Sequence, residues 1–195
     1  MESAYLASFN NKIDESRDAE QQEVEAAEYE RVDKIWNFGK YTEELPMCII
    51  SPGYKSNVRF HIEYNLNSIF QQNYTNYFLV LINDASSDNS DEVYRKWLDF
   101  YGIDKSTYIY IENSDQKTAL ENIYIASRDY CSPDSVAITL DADDEFIGKN
   151  VLKIFNAAYQ RKKAVIYSNF YSYDQGNFIE SGSTQDYTPR EIYNG

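Results

Sequence analysis

Val136-Ala137-Ile138-Thr139-Leu140-Asp141-Ala142-Asp143-Asp144-Glu145 carries an apolar, β-favouring run straight into a cluster of carboxylates. Five such residues bounded by polar ones read as a short buried strand. Three carboxylates within four positions at the end of a buried strand are unfavourable unless a cation or a hydrogen-bond network offsets them. Similar apolar runs occur at Met47–Ile50, Tyr77–Ile82, Thr107–Ile111 and Ala164–Tyr167. Longer amphipathic segments separate them, which is the pattern of strands joined by crossover helices. The expected fold class is therefore α/β, with a mostly parallel sheet flanked by helices.

The helical segments follow from steps of three and four. Val58, Ile62, Leu66, Ile69 and Phe70 mark the first, with Ser56 or Asn57 placed to cap it. Val93, Trp97 and Tyr101 mark the second, and Ser86, Ser87, Asp88 and Ser90 read as its turn and cap residues. Leu120, Ile123 and Tyr124 form a third apolar face, and Val151, Ile154, Phe155 and Ala158 a fourth. The aromatics are assigned to the core, and His61 to the surface or boundary of the first helix.

The chain of 195 residues has a formal net charge of −14, which disfavours nucleic-acid and anionic-membrane partners by long-range repulsion. A cation would be welcome. Residues 1–44 are set apart: twelve acidic and five basic residues, with apolar residues sparse before Ile35. They read as an acidic helical or partly ordered extension, with a docking helix for a protein partner as the second reading. No window approaches the roughly 18 apolar residues of a membrane span, and the N-terminus lacks a basic and an apolar signal region. Cys48 and Cys131 lie in or beside apolar stretches and read as buried free thiols, which suits a reducing compartment. The expected location is cytoplasmic.

In open parallel sheets ligands sit beyond the carboxyl ends of the strands. The loops found there are Ser51–Lys55, Asn83–Asp88, Glu112–Asp115 and Asp141–Glu145, so polar and acidic groups gather on one edge. Hard oxygen ligands suit Mg²⁺ or Mn²⁺, ions that usually keep positions open for substrate phosphates. An EF-hand is excluded by counting: from Asp141 the sixth position is Phe146 instead of Gly and the twelfth is Leu152 instead of Glu. No glycine-rich phosphate loop follows any strand. With one His and two distant Cys, zinc is not credible.

Four segments in order resemble the GT-A-fold (Rossmann-like) glycosyltransferases of family 2. Cys48-Ile49-Ile50-Ser51-Pro52-Gly53-Tyr54 resembles the family's first strand and Pro-x-Tyr turn, and Ser68-Ile69-Phe70-Gln71-Gln72-Asn73-Tyr74 its first-helix ending. Leu81-Ile82-Asn83-Asp84-Ala85-Ser86-Ser87-Asp88 resembles its Val-Asp-Asp-Gly-Ser-x-Asp segment, and Thr139-Leu140-Asp141-Ala142-Asp143-Asp144 its Leu-Asp-Ala-Asp-Asp segment. The resemblance covers about Pro46 to Tyr173. It implies a nucleotide-diphospho-sugar donor, often a UDP-sugar, and an inverting single displacement onto a glycan, protein or lipid acceptor with Mn²⁺ or Mg²⁺ as cofactor. By matching positions, Pro52, Tyr54 and Asp84 would contact base and ribose, while Asp141 and Asp143 would border ribose and metal. Asp143 is the first choice for the metal ligand, with Asp144 close behind. Lys117 falls near the segment that lines the nucleotide site, where the usual Asn-x-Gly reads Ser114-Asp115-Gln116.

Two departures accompany the resemblance. Asn83 replaces the first Asp of the Asp-Asp pair, and residues 45–195 look like a nucleotide-sugar-binding domain without the acceptor half. Glu180, Asp186 and Glu191 are the candidates for a general base, but none lies in a recognisable motif, so the catalytic residue is unassigned. The alternative reading is a catalytically incomplete domain serving as a structural or assembly subunit.

Overall fold

The computed structural model describes Glu23, Ala26, Ala27, Glu30, Arg31 and Lys34, then residues 38–56, 60–161, 165–166, 170–174 and 177–181. The chain divides into two units, Phe38–Asn156 and a second composed of Met1–Asn37 with Ala157–Gly195. In the second, the six described N-terminal positions are helical and exposed. Of the expected extension, residues 1–44, the other positions of 1–37 lie outside the described residues, and 38–44 belong to the first unit. The same unit holds an antiparallel hairpin, β5 (Phe170–Asp174) against β6 (Asn177–Ser181).

The first unit is the expected α/β arrangement. Strands β1 (Met47–Gly53), β2 (Tyr77–Asn83), β3 (Tyr108–Glu112) and β4 (Val136–Thr139) form a parallel sheet in the order β3-β2-β1-β4. Helices α1 (His61–Phe70), α2 (Ser90–Tyr101) and α3 (Ala119–Asp129) connect them, and α4 (Val151–Gln160) follows β4. The central strands are buried on both faces: Met47 to Pro52 and Leu79 to Asn83 are inaccessible to solvent, as unbroken apolar runs in a parallel sheet should be. The fifth expected strand, Ala164–Tyr167, falls partly outside the described residues, and Val165 and Ile166 are not in a strand. A short apolar run does not by itself distinguish a strand from a connecting segment.

Several local expectations change. Helix α1 starts at His61, and its N-cap is Phe60 in a left-handed conformation (φ 66°) with no side-chain cap. Ser56 is buried instead of capping, while Asn57 and Val58 lie outside the described residues. On α3 the buried residues are Asn122 and Ala126, whereas Leu120 and Tyr124 are 76% and 61% exposed. Ile123 sits at the margin of that face, packing on the cluster of Cys48, Ile50, Val80, Ile82 and Ala126. The helix is thus rotated from the face that counting apolar residues selects. On α4, Leu152 and Asn156 lie in the inward stripe within the first unit. The Asn156 amide receives the Leu45 N–H and donates to the Glu43 carbonyl, tying down the chain before β1.

The cysteines correct the free-thiol expectation. Cys48 on β1 and Cys131, just past α3, form a disulfide with Cα atoms 5.6 Å apart. Packing of α3 on β1 brings together residues 83 positions apart, and no local pattern signals that approach. A disulfide removes the basis for expecting a reducing compartment. Among the described residues no helix is long and apolar enough to cross a membrane.

Candidate donor-nucleotide site

Hydrogen bonds of sheet type continue past the strand ends and hold the loops side by side. The Asp84 N–H donates to the Gly53 carbonyl (2.8 Å), Asn113 N–H to Asn83 (2.9 Å), and Ala142 N–H to Pro52 (3.0 Å). Gly53 allows this approach. A Cβ there would lie 2.7 Å from the Ala142 Cβ and 2.8 Å from the Tyr94 hydroxyl, distances that real side chains do not reach. The absence of a side chain at the end of β1 therefore lets the acidic loop after β4 close onto it.

These loops enclose a cleft of about 430 Å³ at the carboxyl edge of the sheet. Pro52, Tyr54, Asp84, Lys117, Asp141 and Asp143, drawn from separate segments of the sequence, all line it. Asp144 does not line it; its N–H turns back onto the Asp141 carbonyl (2.9 Å). Lys55, Asn122 and His61 also line the cleft. The sequence reads His61 as a surface or boundary residue of the first helix; in the structure it is the first residue of α1 and lines the cleft. The cleft volume is within the range of small-molecule sites.

Asp84 is 4% exposed and organises the β3–α3 loop as well as lining the cleft. Its Oδ1 accepts from Asn113 Nδ2 (2.7 Å) and the Lys117 N–H (2.9 Å), while Oδ2 receives only a longer contact from the same N–H (3.1 Å). A carboxylate offers about four lone-pair sites, so Oδ2 keeps capacity for another donor. Asn83 is not among the residues lining the cleft. Only 1% exposed, it accepts the Ser86 N–H (3.2 Å) and bonds to the Tyr110 side chain. A neutral amide costs less than a carboxylate in that enclosure, so the substitution leaves the cleft's own carboxylates intact. Ala85 adopts φ 56°, the left-handed region that favours the glycine found there in the resembling motif.

The acidic loop is held from α1 by a residue whose role the motifs do not reveal. Asn65, fully buried, donates from Nδ2 to the Asp141 carbonyl (3.1 Å) and the Asp144 carbonyl (2.8 Å), and accepts from Ser51 Oγ (3.2 Å). The carboxylates of Asp141 and Asp144 are open to solvent at their surfaces, yet surrounding protein raises both above the ordinary range. The charge of Asp143 adds to each shift, and His61 opposes it at Asp144. Such mutual repulsion is what a bound cation relieves. Among the described residues no group of three His, Cys, Asp or Glu side chains is assembled to cage a metal. The donor set still fits Mg²⁺ or Mn²⁺, which commonly bind through one or two carboxylates and complete their shell with water and substrate phosphates.

The family model for glycosyl transferase family 2 matches residues 49–194. The chain belongs to glycosyl transferase family 2. Glycosyltransferase GlyG of Streptococcus pneumoniae serotype 4 is 27% identical over 163 residues, covering 81% of this chain and 44% of that protein. Among solved structures, mannosyltransferase PcManGT from Pyrobaculum calidifontis, in complex with GDP-Man and Mn²⁺, superposes with a TM-score of 0.52 at 18% identity. The alignment covers 72% of this chain and 41% of that one, and the likeness is one of GT-A fold. S. aureus TarS gives a TM-score of 0.49 at 20% identity over 60% of this chain and 33% of the other. The chain thus spans less than half the length of these relatives.

Of the candidate bases, Glu180 lies on β6 opposite Tyr171, and Asp186 and Glu191 fall outside the described residues.

Proposed function

We propose that this chain binds a nucleotide-diphospho-sugar in the cleft at the carboxyl edge of its sheet, as the donor-binding part of an inverting, divalent-metal-dependent glycosyltransferase. The reading rests on the convergence of Pro52, Tyr54, Asp84, Lys117, Asp141 and Asp143 around one cleft. Pro52 and Tyr54 offer flat apolar surface to a base, and Asp84 offers an acceptor to a base N–H or ribose hydroxyl. Lys117 supplies a positive charge for the diphosphate. Asp143, with Asp141 or Asp144, would hold Mn²⁺ or Mg²⁺. When bound, the cation supplies Lewis acidity toward the departing nucleoside diphosphate. The chain's own residues orient the donor and keep the acidic loop against β1, so that the anomeric carbon meets the acceptor hydroxyl from the face opposite the leaving group. UDP-sugars are the first donors to test, and GDP-mannose follows because PcManGT was captured with it.

Calorimetric titration with UDP, UDP-sugars and GDP-mannose, with and without Mn²⁺, tests the proposal on the native chain and on Asp143→Ala. Metal-dependent binding that weakens at least about tenfold in the variant is expected, the loss typical of removing one charged ligand group. Absence of binding to every nucleoside diphosphate would overturn the donor-site assignment and favour a structural subunit.

A further inference from the structure

One polar group in the cleft has no role in the arrangement described so far. Asn122, on the buried face of α3, is 3% exposed and lines the cleft. Its Oδ1 accepts from Asn113 Nδ2 (2.9 Å), whereas its Nδ2 has no hydrogen-bond partner among the described residues. An unpaired buried donor is costly in a protein interior, and native folds seldom keep one without a ligand or water to receive it.

The chemistry of the network fixes which end of this amide is free. The Asp84 carboxylate can only accept, so the Asn113 atom facing it at 2.7 Å must be the NH₂. The second N–H of that NH₂ is directed at Asn122, which must therefore turn its oxygen toward Asn113. The remaining end of Asn122 is necessarily a donor. Two groups lining the same cleft are thus held in opposite polarity, each one hydrogen bond from Asn113: Asp84 accepts and Asn122 donates.

We propose that Asn122 is a specificity-determining contact of the cleft, donating from Nδ2 to a nucleobase carbonyl oxygen whose neighbouring ring N–H is received by Asp84. This inference rests on the donor-nucleotide reading above and deepens it. A phosphate is a poor occupant beside the Asp84 carboxylate, because the two anions repel. A neutral edge with N–H next to C=O matches the acceptor–donor pair, and Pro52 and Tyr54 on the cleft wall suit a flat ring. Uracil and guanine both carry such an edge. With the ring in that register, cytosine and adenine present a bare ring nitrogen to Asp84. Their own donor–acceptor edge, an exocyclic amino group beside that nitrogen, meets the pair only if the base shifts by one position against Pro52 and Tyr54, and that shift is what should cost affinity.

The test compares the native chain with Asn122→Ala and Asn122→Asp by calorimetry in Mn²⁺, using UDP, GDP, CDP, ADP and ribose 5-diphosphate. The native chain is expected to prefer UDP or GDP over CDP and ADP. Asn122→Ala should weaken the preferred nucleotide about tenfold and leave ribose 5-diphosphate unchanged, the loss of one hydrogen bond to the base. Asn122→Asp keeps the shape and the Asn113 contact but sets an oxygen against the base carbonyl, so it should bind more weakly still. Equal binding by all three proteins overturns the assignment of Asn122 while leaving the nucleotide site standing. A parallel loss for ribose 5-diphosphate moves the contact to the sugar or phosphate and also overturns it. If the native chain binds no nucleoside diphosphate, the donor-nucleotide reading has failed and this inference falls with it. Should either variant unfold, the Asn122 side-chain NH₂ resonance of the native chain serves instead: it must move on adding the preferred nucleotide and stay in place with ribose 5-diphosphate.

Discussion

Exchanging one nitrogen for one oxygen in Asn65→Asp tests how the acidic loop is held. In the native structure Nδ2 donates to the carbonyls of Asp141 and Asp144 at 3.1 and 2.8 Å, in an environment fully closed to water. A carboxylate oxygen in that place would face two carbonyl oxygens. Both hydrogen bonds are lost, two carbonyls lose their side-chain donor, and a charge is buried without a counter-ion. Losses of this kind sum to about 3–5 kcal/mol. Asn65→Ala removes the same bonds without adding charge and should cost about 2–4 kcal/mol. Domain stabilities are typically about 5–15 kcal/mol, so both variants should remain folded while carrying a measurable deficit. The deficit of the Asp variant should also depend on pH. Burial raises the new carboxyl's pKa in the folded state, so stability is recovered as pH falls through that value and lost as pH rises. Urea denaturation at pH 7.5 and pH 5 measures this, with calorimetry of nucleotide binding as the functional readout. If Asn65→Asp at pH 7.5 lies within about 1 kcal/mol of native and binds nucleotide unchanged, Asn65 does not hold the loop.

Three further outcomes follow from particular contacts. Gly53→Ala places a methyl group against the Ala142 Cβ and the buried Tyr94, neither of which can swing aside, so a loss of about 1–3 kcal/mol and weakened nucleotide binding are expected from urea melts and titration. Glu63 is 1% exposed and burial raises its carboxyl, with its own backbone N–H, Trp97 and Lys96 opposing the shift. Its folded-state pKa lies above the unfolded value, so its contribution is most favourable below the unfolded pKa and declines as pH rises through the folded one. The stability difference between native and Glu63→Gln should therefore grow in favour of Gln from pH 5 to pH 8 in thermal melts, and a difference independent of pH would contradict the burial argument. Reducing Cys48–Cys131 opens a closure spanning 83 positions, for which chain entropy gives about 4.5 kcal/mol, so reductant should lower the unfolding midpoint and leave Cys48→Ala/Cys131→Ala unaffected.

Much of the site is legible in the sequence because its residues occupy strand ends. A parallel α/β sheet sends every strand's carboxyl end to one edge, so recognising the apolar runs at Met47, Tyr77 and Val136 is enough to bring Pro52, Asp84 and Asp141 to the same edge. The carboxylates after Leu140 declare themselves because three of them crowd four positions directly after an apolar run, although β4 is an edge strand of the described sheet with Ala137 and Thr139 exposed instead of the buried strand the run suggests. Residues that act through geometry give no such signal. Asn65 and Asn122 look like ordinary polar positions on amphipathic helices, and Gly53 like any residue of a turn.

The amino-acid sequence alone determined the alternation of strands and helices, the excess of negative charge and the acidic loop, because these depend on local periodicity and residue chemistry. Tertiary structure decided the rest. It rotated α3 so that Leu120 and Tyr124 face solvent and Asn122 the cleft, brought Cys131 to Cys48, and oriented the amides of Asn113 and Asn122 from Asp84. Each of these depends on contacts between segments far apart in the chain, and hydrogen-bond polarity is set only when donor and acceptor meet.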